Sequence, residues 1–252
     1  KEFAKHYLVR YQLSKPGGGK SLEIHRDYHL VDVSADGNQA LIGLANEVGA
    51  FSRLDVVNIA EKKHVAGWRP YDKEAWARDR SPRGQPRSMS PQSVVWAKML
   101  ADQRVLTLNS TGKLVCWQLP ECLAIYQCED FGSVYCTSAN GKYVVGLNEK
   151  AVRILDTATG DWVGELRAST PIDILFRAGI RADGRELMAL ITTQIQRRVV
   201  RWDLTTGEII DEFDTQIGVS IDPHPNLPFD RKQPGVSYQN DRYVLVNDSV
   251  LF

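Results

Sequence analysis

Residues 198–213 read RVVRWDLTTGEIIDEF. Two apolar runs, 199–204 and 209–213, flank Thr205-Thr206-Gly207-Glu208. Runs this short, rich in β-branched and aromatic residues and punctuated by glycine, form strands joined by a tight turn. The stretch is a hairpin.

Moving outward, the same order of features recurs upstream as AVRILDTATGDWVGEL (151–166), KLVCWQLPECLAIYQC (113–128) and RLDVVNIAEKKHVAGW (53–68). Asn58, Gln118, Asp156 and Asp203 then share one slot, and the first interval carries an insertion. Each hairpin is preceded by another pair of apolar runs around a turn: SADGNQALIGL (34–44), LADQRVLTL (100–108), SANGKYVVGL (138–147) and RADGRELMALI (181–191). Asp-Gly and Asn-Gly between alternating runs are strong hairpin signals, with both central residues expected at positive φ. Ala101-Asp102-Gln103 lacks the glycine and is the weakest of the four.

Four short strands per unit, repeating at about forty residues, define a β-propeller pattern. With Trp202-Asp203 closing a third strand, and Trp117-Gln118 and Leu155-Asp156 as looser forms, the chain resembles the WD-repeat propellers. The runs LDTATGDWVGEL and LTTGEIIDEF also resemble quinoprotein-type propeller repeats. The Gly-His dipeptide that many WD blades carry is missing throughout, which puts the family's His-to-Trp tetrad in doubt. The fold expected is all-β, one propeller domain of four-stranded antiparallel blades. Four complete blades fall at 29–68, 91–128, 131–167 and 172–214, with half-blades at both ends. Residues 1–26 supply strands three and four, and residues 235–252 supply strands one and two.

That assignment settles a competing motif. Ser14-Lys-Pro-Gly-Gly-Gly-Lys-Ser21 ends like a phosphate-binding loop, but Ser14 stands where the first glycine belongs. A helix must follow such a loop, whereas SLEIH (21–25) alternates with period two. The glycines form a turn between the third and fourth strands of a blade.

Two arrangements fit the ends. The half-blades join into a closed ring of five, which removes exposed edge strands. Alternatively, the chain is a fragment of a larger propeller, and residues 249–252 then duplicate the strand that residues 6–13 already supply. The duplication and the lack of an initial methionine point to the fragment.

The 252 residues balance 31 Lys and Arg against 31 Asp and Glu, so no global field draws the chain to nucleic acid or membrane. No apolar run is long enough to cross a bilayer. Cys116, Cys122, Cys128 and Cys136 lack C-x-x-C spacing, and free thiols in a reducing, cytoplasmic compartment are the expectation. His6, His25, His29, His64 and His224 show no metal-ligand spacing, and no G-x-S-x-G elbow occurs. No catalytic residue, metal or cofactor is expected.

Function on such a scaffold sits in loops. The segments 69–90 and 215–235 far exceed usual connections and both lead from a fourth strand to the next first strand. The 45–52 loop opens on the same side. Arg69, Arg78, Arg80, Arg83 and Arg87, with Tyr71 and Trp76 as aromatic anchors, suit an acidic protein partner. Ser81 and Ser90, each before proline, are candidate phosphorylation sites. The expected function is a non-catalytic interaction scaffold of WD-repeat type that binds a partner protein or a neighbouring domain through the face carrying the long loops. A quinoprotein-like enzyme or ligand sensor, with a site over the central channel, is the alternative.

Overall fold

The computed structural model describes residues 6–10, 19–46, 49–73, 90–148, 151–181, 183–192, 197–214, 236–239, 243–246 and 249–251. Every regular element among them is a β-strand. The chain divides into two compact units, residues 1–130 and 131–252.

In the first unit, β1 (His6–Arg10) and β2 (Lys20–Ile24) form an antiparallel pair with Arg10 opposite Lys20. A strand therefore follows the glycine run, as its period-two pattern requires. Next come β3 (Tyr28–Val33), β4 (Gln39–Ala45), β5 (Phe51–Asn58) and β6 (Lys63–Trp68), paired in sequence order. A second meander follows, built from β7 (Val94–Leu100), β8 (Arg104–Asn109), β9 (Leu114–Gln118) and β10 (Leu123–Cys128). Phe51 opposite Val94 bridges the two meanders.

The second unit repeats the plan. One four-stranded antiparallel sheet contains β11 (Ser133–Thr137), β12 (Tyr143–Asn148), β13 (Ala151–Asp156) and β14 (Trp162–Leu166). Another contains β15 (Ile174–Ile180), β16 (Glu186–Thr192), β17 (Arg197–Asp203) and β18 (Ile209–Asp214). The last sheet has three strands, β19 (Val236–Gln239), β20 (Tyr243–Val246) and β21 (Ser249–Leu251), the third falling in the 249–252 stretch that repeats the slot of residues 6–13. Within each unit the first strands of successive sheets lie side by side: β3 by β7, β11 by β15, and β15 by β19.

Second and third strands carry the core, because both of their faces are covered. In the first unit Leu41, Leu54, Val56 and Val105 are fully buried. In the second, Leu187, Ala189, Ile191, Val200 and Trp202 are.

The turns repeat down to single atoms. Gly37, Gly141 and Gly184 adopt φ of 66°, 71° and 74°, and each amide bonds the carbonyl three residues earlier. The residue before each glycine, Asp36, Asn140 or Asp183, accepts an N–H two residues ahead through its side chain. Positive φ thus falls on the glycine and not on both central residues, so these are longer turns closed by a left-handed glycine. The glycine-less turn is the exception. Asp102 and Gln103 both take positive φ, 58° and 55°, giving the tight form that the other three were expected to show. At the third-to-fourth turns, Asp156 accepts the amide of Ala158 at 2.7 Å and Asp203 that of Thr205 at 2.6 Å. The shared acidic slot is therefore a turn cap.

A regularity invisible in the alternation is a bulge in four of the fourth strands, β6, β10, β14 and β18. Val65, Ile125, Val163 and Ile210 are the inserted residues, each without a partner on the third strand. All four are β-branched and apolar. First strands carry a bulge as well, at Val31, Val95, Tyr135 and Phe176.

Candidate functional site

The long loop that sequence reasoning singled out begins at Arg69, which is exposed and follows β6 directly. Trp76, Arg78, Arg80, Arg83 and Arg87 lie outside the described residues, as does the whole 215–235 segment. Tyr71 does not offer its ring to a partner: it is 2% exposed and packs in the core of the first unit. Its hydroxyl meets Thr107 Oγ1 at 2.8 Å and donates to the Lys113 carbonyl at 3.0 Å. Trp117 Nε1 donates to the same Thr107 oxygen at 2.9 Å. A buried phenol needs a partner for its hydroxyl, and the β8–β9 region supplies two. Phenylalanine at 71 is expected to cost about 1 kcal/mol of unfolding free energy, measured by denaturant titration of the two chains. An unchanged midpoint and slope would show that these bonds add nothing net.

The other end of the loop is fixed to the same turn. Asn109 Nδ2 donates to the Pro91 carbonyl at 2.9 Å, and Ser110 Oγ to the Ser90 carbonyl at 2.9 Å. Gln92 Nε2 reaches the Asp72 carbonyl at 3.3 Å, linking the two ends. The loop leaves and re-enters the sheet at one rigid point. The 45–52 loop is shorter than its sequence suggests, since Ala45 ends β4 and Phe51 starts β5. Asn46 closes it, accepting the Ala50 amide at 3.0 Å and donating to Ser93 Oγ at 3.1 Å.

A charged cluster that the sequence did not reveal lies on β5 and β6. Asp55 is 4% exposed, and Arg53 grips it in a two-pronged pair at 2.9 and 2.8 Å. His64 Nε2 lies 2.8 Å from the same carboxylate. Burial pushes the Asp55 carboxyl up, but hydrogen bonds from Arg53, His64 and Tyr28 outweigh it and hold the group below its ordinary range. Gly67 makes the cluster possible, because a Cβ there would strike the Asp55 carboxylate, Arg53 Nη2 and His64 Nε2. An arginine–aspartate ion pair and a histidine over one glycine satisfy one another from within.

The second unit carries a cleft of about 280 Å³ lined by Arg153, Trp162, Gly164 and Glu165. Cross-strand pairing sets Arg153 opposite Glu165 and Ile154 opposite Gly164. The Trp162 ring stacks on fully buried Phe131, with centroids 5.6 Å apart and planes 8° from parallel. The Arg153 guanidinium sits 5.3 Å from the Trp162 centroid. Phe131 in turn fills the space that Gly146 leaves on β12. Trp162 stays 42% exposed. The sequence signal was a glycine in mid-strand, between an exposed aromatic and a glutamate.

Among the described residues no three His, Cys, Asp or Glu side chains gather as metal ligands. The four cysteines are free thiols, and burial pushes Cys116, Cys122 and Cys136 upward. Among the described residues no helix is long and apolar enough to cross a membrane. Compared with known proteins, the chain matches no family model and no curated sequence. The class these observations define is an all-β chain of antiparallel sheets, eight-stranded in β3–β10 and four-stranded in β11–β14 and β15–β18.

Proposed function

We propose that the chain is a non-catalytic interaction scaffold, a WD-repeat-like β-propeller that binds an acidic protein partner through its 69–90 loop. The observation that carries this reading is the rigid root of the loop. Both ends are pinned to the β8–β9 turn, by Tyr71 on one side and by Asn109 and Ser110 on the other. Binding residues are disproportionately carried on loops that a rigid scaffold holds. Arg69, Trp76, Arg78, Arg80, Arg83 and Arg87 supply charge-assisted donors and an aromatic anchor.

The propeller reading draws support from the side-by-side first strands in each unit. Strands that start every sheet and neighbour one another are what a radial arrangement around a channel requires. In place of the His-to-Trp network of that family, Thr107 links Trp117 to Tyr71.

Deleting residues 74–88 tests the site, because the Gln92–Asp72 bond keeps the ends together. The expected result is an unchanged circular-dichroism melt and loss of the partners captured by the full chain. A deletion that melts normally and retains every partner would overturn the assignment.

A further inference from the structure

Gly164 sits in the middle of β14, where a glycine weakens the strand and brings no side chain to pack. Three other strand glycines, Gly43, Gly67 and Gly146, have a reason inside the fold. A Cβ at Gly43 would run into the Phe51 ring, at Gly67 into the Asp55 carboxylate, and at Gly146 into the Phe131 ring. At Gly164 a Cβ would meet nothing within 4 Å, and its backbone is not left-handed. Neither packing nor conformation demands glycine here. Its effect is to keep open the cleft between Arg153, Trp162 and Glu165.

The charges around that cleft are unequal. Arg167 holds Glu165 Oε1 through Nε at 3.1 Å and Nη2 at 2.8 Å. Arg153 approaches the other oxygen, Oε2, with its Nε 3.5 Å away. The Arg167 guanidinium beside Glu165 holds this carboxyl below its usual range. Two guanidiniums thus share one carboxylate. The Arg153 guanidinium also lines the cleft beside the Trp162 ring, so a further carboxylate entering there meets a cation able to pair with it. Beside them Trp162 and Val163 are 42% and 47% exposed, an apolar shelf next to a cationic pocket. The bulge at Val163 spoils the edge of β14 for strand addition, so a partner engages it through side chains.

We propose that this cleft is a second docking point, taking an aspartate or glutamate side chain of a partner protein whose neighbouring apolar residue rests on Trp162 and Val163. It goes beyond the loop reading and does not depend on it.

The test is to pan a display library of random peptides, about twelve residues long, on the full chain. Enriched peptides are expected to pair an acidic residue with an adjacent apolar one. Their affinity should fall about tenfold or more in Gly164→Leu and in Arg153→Met, the loss of one charge-assisted contact set, and stay unchanged in the 74–88 deletion. Leucine suits a strand better than glycine and enters open space, so Gly164→Leu should melt at or above the parent temperature. Arg153→Met keeps the experiment decisive if leucine disturbs the sheet. Peptides without a carboxylate, peptides indifferent to both substitutions, peptides lost on deleting the loop, or no enrichment at all would each overturn the proposal.

Discussion

Trp202→Ala is expected to lower the unfolding free energy of the second unit by about 3–5 kcal/mol, the range for truncating a buried tryptophan. Trp202 is fully buried and packs in the cluster built from Val145, Val152, Ile154, Leu187, Ala189 and Val200. Its neighbours belong to two successive sheets, so the cavity left behind cannot be closed by one strand shifting. The indole also donates Nε1 to the Arg167 carbonyl at 2.9 Å, and alanine strips that carbonyl of its donor. Trp202→Phe separates the two contributions, because it keeps most of the area and drops the donor, at a cost of about 1 kcal/mol from the bond alone. Urea titration followed by circular dichroism reads both. A loss under about 1 kcal/mol for alanine would mean that this residue does not organise the core as its burial implies.

Gly67→Ala is the second large effect, about 1–3 kcal/mol of destabilisation by overpacking. The added methyl group enters the space held by Asp55, Arg53 and His64. Arg53 and His64 are 40% and 55% exposed and can swing into water. Asp55 cannot follow, and stays desolvated with fewer partners. In an Asp55→Ala background the same substitution should cost much less, since the group that suffers is gone, and that coupling is what a double-mutant cycle measures. The pH dependence has a definite sign. The folded-state pKa of Asp55 lies below its unfolded value, so its contribution is present above the ordinary aspartate range and is lost as pH falls through the folded value. The gap between parent and Gly67→Ala should therefore narrow in acid. A gap that is constant with pH and independent of Asp55 would place the cost in the backbone instead.

Much of the fold can be read from residues 198–213 outward. Strand order follows from short β-branched runs and turn glycines, and the acidic slot at Asp156 and Asp203 marks turn caps because a carboxylate there accepts an amide two residues on. Bulges are another matter. One inserted residue reverses the inward–outward alternation, so Val163 reads as core in the sequence and is 47% exposed in the fold. Tyr71 misleads for the opposite reason. It stands in a charged, proline-punctuated segment, yet its hydroxyl has partners 36 and 42 residues away that no local pattern shows. Asp55 likewise looks like a polar position in an alternating strand, and its burial depends on Gly67 of the neighbouring strand. The cleft at Trp162 was hidden because a strand glycine has several explanations, and only its surroundings tell an open space from a crowded one.

The inserted residue in each outermost strand also bears on how these molecules behave when concentrated. Val65, Ile125, Val163 and Ile210 put the carbonyls and amides of their rims out of step. A second copy zippering along one of these four rims would run out of matching groups within a few residues, so strand addition there is arrested at its first rung.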